Sequence, residues 1–174
     1  RYTTFVNQIG QRVADLTSRK ILLGESKSTG IPILYESHGV GSLAFAMDGT
    51  LLASTGDGSS YVNADIGSDP DTYYNQALID GIITPNENIG VFRSQLLNSH
   101  SGKLLRIDPE TGDGIPSNPF YDPMAPRSAK SKVWAFGFRN PFRFSIRPNS
   151  GSVDRNIGDV GEIFIGDVGF NSFE

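Results

Sequence analysis

The sequence predicts an all-β chain of repeated antiparallel units, carrying one partly helical loop insertion. Three observations predict it. Short apolar runs alternate with polar residues in steps of two. Gly and Pro, at 20 and 10 of the 174 residues, punctuate the chain closely. One hairpin-like unit occurs twice, at 43–58 and 144–169.

The strand-like runs are SLAFAM (42–47), TLLAST (50–55), KLLRID (103–108), KVWAFGF (132–138), FRFSIR (142–147) and EIFIGD (162–167). β-branched and aromatic residues suit a pleated, half-buried surface. Asp48-Gly49, Asp113-Gly114 and Asn149-Ser150-Gly151 mark turns between or after them. Two segments break the alternation. DTYYNQALIDGI (71–82) and NENIGVFRSQLLNS (86–99) read as short helices, the second through Ile89, Phe92 and Leu96. Both fall between strands, so residues about 59–101 form an insertion rather than sheet. Each repeat runs strand, turn, strand and then a Gly-Asp pair, Gly56-Asp57 and Gly166-Asp167. Such units suit β-propeller blades or a sandwich.

Composition narrows the function. Net charge is −4 with Lys and Arg scattered, which predicts no nucleic-acid partner. No apolar run approaches the length of a membrane span. Without cysteine, the chain has no disulfide, thiol nucleophile or thiolate metal site. His38 and His100 are its two histidines, too few for a multi-histidine metal centre. Asp65, Asp69 and Asp71 cluster in the insertion and offer carboxylates to calcium, though their spacing departs from the EF-hand loop; the other reading is a solvated acidic turn with Asp71 near a helix start. The chain opens at Arg1 without Met or signal peptide and stops at Phe173-Glu174 inside a motif. The expectation is a single partial domain over 1–174, a fragment of a longer chain. An open sheet stack exposes edges, so it calls for the remainder of its own fold or a partner chain.

Four words in order carry a resemblance: SHGVGSLAFAMDGTLLASTGDG (37–58), GKLLRIDPETGDGIPSNPF (102–120), WAFGFRNPFRFSI (134–146) and GDVGFNSFE (166–174). Together they closely resemble the soluble pyrroloquinoline-quinone (PQQ) sugar dehydrogenases, the glucose/sorbosone dehydrogenase family. The resemblance implies a fragment of a six-bladed β-propeller with cofactors PQQ and calcium. It implies a quinoprotein oxidoreductase, oxidising an aldose or related sugar alcohol, in an extracellular, cell-surface or periplasmic setting.

By the same resemblance, His38 is the general base that takes the sugar hydroxyl proton, a role suited to imidazole near neutrality. Arg139 faces the quinone and stabilises developing charge, and Asn140 hydrogen-bonds the cofactor. Flanking Phe138 and Phe142 would hold the arginine. Gly169 and Phe170 offer backbone carbonyls to calcium, with Asp167 a nearby ligand or turn residue. Gly-Phe stands where the family often has Gly-Pro. Ser37 replaces an acidic residue carried by sugar-oxidising members. Lys103, in the Gly-Lys word, reads as structural.

A second reading is a non-catalytic propeller module of a large secreted or cell-surface protein, binding a glycan or a protein. A lactonase-type propeller would want a channel metal set that the sequence does not offer. Catalysis predicts His38 and Arg139 converging on an open face; the module predicts that face blocked by residues 59–101.

Overall fold

The computed structural model describes residues 1–169. They form three small antiparallel sheets and no closed ring. A two-stranded sheet pairs β1 (Thr4–Val6) with β2 (Arg12–Ala14). A four-stranded sheet has the order β3 (Val40–Phe45), β4 (Leu51–Thr55), β5 (Lys103–Ile107), β6 (Val133–Phe136). A second hairpin pairs β7 (Pro141–Ile146) with β8 (Ile163–Asp167). Six of these strands coincide with the alternating runs. The β1–β2 hairpin was not legible, since five of its six residues are exposed and no apolar face repeats.

Asp113-Gly114 lies just past a turn at 109–111, with Gly114 bridged to Ile107, while Asp48-Gly49 turns as read. Asp48 Oδ1 accepts from Thr50 N at 2.9 Å, and the turn feeds β3 into β4 with Phe45 opposite Leu51. The β4–β5 pairing stays in register from Leu51↔Ile107 to Thr55↔Lys103 although the whole insertion lies between them. That insertion holds α1 (Tyr74–Ile79) and 3-10 turns at Pro85–Glu87 and Gly90–Gln95. The helix begins later than expected. Tyr73 is its N-cap, and Asp71 accepts instead from Asn63 Nδ2 at 2.8 Å. A four-residue helix α2 (Ala129–Lys132) precedes β6, capped by Ser128.

The β7–β8 hairpin packs on one face of the four-stranded sheet. Leu52, Leu104, Ala46 and Val160 are buried there, with Trp134, Phe144, Ile146, Ile163 and Ile165 around them. Burying a leucine of this kind stabilises by about 1.5–3 kcal/mol. The contact is close enough to exclude a side chain at Gly41, whose Cβ would lie 2.3 Å from the Pro141 carbonyl oxygen. Ser54 Oγ fills that space, donating to Pro141 O at 2.8 Å and accepting from Ser42 N. The opposite face buries Ala53, Leu105 and Val133 under Leu23, Leu97 and Phe120. Along β3, Leu43 and Phe45 remain 65% and 66% exposed, an uncovered apolar strip.

Two cations lie inside the sheet. Arg106 is fully buried; Nη2 reaches Asp48 Oδ2 at 2.6 Å, Nε reaches Thr50 Oγ1 at 3.1 Å, and the guanidinium stacks 5.0 Å from the Trp134 ring centroid. Burial pushes the Asp48 carboxyl up, and hydrogen bonds from Thr50 and Arg106 outweigh it, so it sits below the ordinary carboxylate range. Lys103 donates to the carbonyls of Arg93, Ser94 and Ser101, the second at 2.8 Å. The structural reading of this lysine matches that geometry. No helix among the described residues is long and apolar enough to cross a membrane.

Asp48→Ala leaves the Arg106 guanidinium buried without its carboxylate. It is expected to cost about 3–5 kcal/mol in chemical denaturation, far more than a surface ion-pair deletion. His100 gives a second prediction. It is 4% exposed and donates through Nδ1 to Gly30 O at 3.0 Å. Burial, helped by Lys132 and Lys103, pushes its pKa down to about 4 from 6.5. Between those values the unfolded chain binds more protons than the folded one, so stability falls as pH drops through that window, by up to about 1.4 kcal/mol per pH unit. Melting curves of His100→Gln across that range should show a flatter pH dependence than wild type.

Candidate functional site

The strand ends bring the candidate residues together. The start of β3, the end of β4, the start of β5 and the end of β6 lie at one end of the four-stranded sheet. The start of β7 and end of β8 meet there as well, with Pro141 opposite Asp167. Backbone bonds knit these ends: Gly102 N to Gly56 O at 2.8 Å, Phe138 N to Gly102 O at 3.2 Å, and Asp57 N to Arg139 O at 2.8 Å.

His38 lies in the loop before β3, buried, with a left-handed backbone at φ 54°. Non-glycine residues held there are strained, and the surrounding contacts must enforce it. Here Gly58 N donates to His38 O at 3.2 Å and Gly56 N donates to Gly39 O at 2.7 Å. The approach needs Gly56, since a Cβ there would lie 2.4 Å from His38 O. Nδ1 of the ring stands 2.8 Å from Asp57 Oδ1, and Asp57 is 1% exposed. A carboxylate only accepts, so Nδ1 carries the hydrogen, and in the neutral ring Nε2 is the acceptor nitrogen. No described residue hydrogen-bonds Nε2. The same Asp57 oxygen accepts Ser59 N at 2.9 Å, which fixes the carboxylate toward the ring.

Arg139 and Asn140 are held by the other repeat's aspartate. Asp167 Oδ2 accepts Arg139 N at 2.9 Å and Oδ1 accepts Asn140 N at 2.6 Å. Val168 N donates to Asn140 O at 3.1 Å. The Arg139 guanidinium donates through Nη1 to Val168 O at 2.8 Å and Gly169 O at 3.3 Å. The expected aromatic clamp is half present. Phe138 joins the core, whereas Phe142 is 53% exposed and carries the Arg143 guanidinium 4.2 Å from its ring centroid.

Asp57 is the residue that sequence reasoning missed. It accepts from His38 and gives its N–H to Arg139 O, so it joins the two candidate groups directly. The signal was present in the repeated Gly-Asp pair: both aspartates close a hairpin and both orient a candidate side chain or loop.

The cation candidates fare differently. Gly169 O already accepts from Arg139, and both Asp167 oxygens accept backbone N–H groups. Phe170 lies outside the described residues. Asp65 and Asp69 each accept from a backbone N–H two residues ahead, at 2.9 Å in both cases, as turn residues do. Among the described residues no three His, Cys, Asp or Glu side chains group closely enough to hold a metal.

A cleft of ≈ 410 Å³ opens beside this end of the sheets. Asp57, Phe138 and Arg139 form one wall, and Asn63, Phe92 and Gln95 of the insertion form the other. Its volume falls in the usual small-molecule range of about 300–1,000 Å³. The insertion thus borders the candidate site and does not fill it. Ser37, beside His38, keeps a buried Oγ with no hydrogen bond among the described residues.

Gly56→Ala should force the β4 end away from His38, with a loss of about 1–3 kcal/mol in stability and faster exchange of the Gly58 amide hydrogen. Asp57 and Arg139 line this cleft, and His38 stands behind the wall, reaching it through Asp57. The words that carry these residues belong to a recognised pattern: the glucose/sorbosone dehydrogenase family model matches residues 8–162, and the chain belongs to that family.

Proposed function

We propose that this chain supplies part of the active site of a PQQ-dependent dehydrogenase oxidising an aldose or related sugar alcohol. The observation that carries the reading is the buried His38–Asp57 pair joined through one backbone bond to Arg139 at the wall of an open cleft. Family membership supports the sugar-dehydrogenase class.

PQQ, when bound, would supply a two-electron acceptor for the hydride leaving the substrate carbon. The cleft suits such a group, being of small-molecule size with one cationic wall residue, Arg139. In the proposed chemistry, His38 Nε2 accepts the proton of the substrate hydroxyl as that carbon becomes a carbonyl. Asp57 holds the ring in the Nδ1–H tautomer and stabilises the imidazolium that results. Arg139, fixed by the carbonyls of Val168 and Gly169, keeps a guanidinium in the wall where negative charge would be favoured. Asp167 holds the Asn140 backbone beside it, and Asn140 is read as a hydrogen-bond partner of the cofactor.

Calcium is a weaker fit on the described residues. Gly169 O already faces a guanidinium, and Asp167 is spent on two N–H groups. No step is derived through the metal.

We read the four-stranded sheet as one propeller blade and the β7–β8 hairpin as part of the next, within one partial propeller domain over 1–174. In a six-bladed ring the exposed Leu43 and Phe45 strip would pack against the remainder of the propeller or a partner chain. An extracellular, cell-surface or periplasmic location follows from the same reading.

The test uses the full-length protein titrated with PQQ and calcium, with dye reduction followed for a panel of aldoses. Sugar-driven reduction is expected, falling about 10²-fold or more in His38→Ala. Asp57→Ala should lower kcat in the same direction with a smaller loss. A folded protein that binds no cofactor and reduces no dye would overturn the enzyme reading and leave a recognition module on the same frame.

A further inference from the structure

We propose that Arg93, contributed by the insertion, is a positioning residue for the His38–Asp57 pair: its buried guanidinium clasps the chain on both sides of Gly58 and so sets where the Asp57 carboxylate meets the imidazole. The inference rests on the reading of His38 as the base.

Arg93 is 1% exposed, inside the 3-10 turn Gly90–Gln95. Nη2 donates to Asp57 O at 3.1 Å and to Ser59 Oγ at 3.2 Å. Nη1 donates to Glu87 O at 3.3 Å. A buried guanidinium is expensive, and burial pushes its pKa down while Asp65, Asp57 and Glu87 oppose that. An arginine placed only to stitch the insertion down has many carbonyls available. This one takes two of its three acceptors from Asp57 and Ser59, the two residues that define the carboxylate's direction, since Asp57 Oδ1 itself accepts Ser59 N and His38 Nδ1.

The turn that carries Arg93 is fixed in its own right. Lys103 Nζ donates to Arg93 O at 3.3 Å and to Ser94 O at 2.8 Å from the first residue of β5. Gly90, at φ 56°, leaves no room for a side chain against Asp65 O. A line of buried contacts therefore runs from Lys103 in the sheet, through the Arg93 turn, to Asp57 and His38. The insertion is part of the machinery that orients the base, as well as a wall of the cleft.

The experiment compares full-length wild type with Arg93→Met, Arg93→Lys and Ser59→Ala. Side-chain 15N–1H spectra report the His38 tautomer without cofactor, and melting curves report folding. Folded Arg93→Met should lose the single Nδ1–H signature, and with PQQ and calcium its kcat should fall about tenfold with KM within about twofold. Arg93→Lys should recover part of both. A folded Arg93→Met with the wild-type tautomer and kcat would sink the proposal. Should Arg93→Met not fold, Ser59→Ala decides: His38 signals moving toward a mixed tautomer uphold the clasp, and unmoved signals overturn it. A wild type that oxidises no aldose would end the enzyme reading, while the tautomer comparison still judges the link from Arg93 to His38.

Discussion

Asp57 ties its N–H, its carbonyl and one carboxylate oxygen to different parts of the molecule. Its N–H goes to Arg139 O, its carbonyl receives Arg93, and its carboxylate receives His38 and Ser59 N. These partners come from the loop before β3, the insertion and the turn between β6 and β7. None is a neighbour of the others in sequence. A buried aspartate without such partners would be strongly destabilising, so these three segments must meet at Asp57 together. That constraint places His38 in its left-handed backbone and brings Arg139 within one hydrogen bond of the same residue.

The frame that lets them arrive is set farther back. The β3–β4–β5–β6 sheet keeps one face for Leu52 and Leu104 against the β7–β8 hairpin. Arg106 and Asp48 close the far end, at the Asp-Gly turn. Ser54 and Gly41 hold the two sheets at hydrogen-bonding distance near the site end. A polar lock thus stands at each end of an apolar seam. Apolar contact is nondirectional and tolerates sliding, whereas a hydrogen-bonded hydroxyl or ion pair fixes register. The relative position of His38 and Arg139, on different hairpins, depends on that register.

Strands facing the core on one side were legible in the sequence because burial forces a period of two, and runs such as FRFSIR and EIFIGD carry it. The β1–β2 hairpin lacks a buried face, so no pattern marks it. Asp71 looked like a cap, but Asn63 competes for its carboxylate and the helix starts at Tyr74. His38, Arg139 and Asn140 were legible as words of a family. Their support was not, because the partners are tertiary: His38 and Asp57 are 19 residues apart, and Arg139 and Asp167 are 28 apart. The repeat of the Gly-Asp pair held a clue. Two copies of one hairpin, each ending in aspartate, give the same physical answer to the same problem, which is to satisfy loop N–H or ring N–H groups where the strands stop.

The insertion shows why such a site can change its wall without losing its base. β4 and β5 pair in unbroken register across it, so the sheet does not depend on what the insertion contains. Loop closure cost grows only slowly with length, which makes a long excursion here tolerable. Two buried cations then decide how the excursion returns: Lys103 grips the carbonyls of the Arg93 turn, and Arg93 grips Asp57. Residues between those anchors and the cleft, such as Asn63, Phe92 and Gln95, are exposed and carry none of this framework. Substrate-facing chemistry can therefore vary at those positions while the geometry of His38 and Asp57 is held from behind.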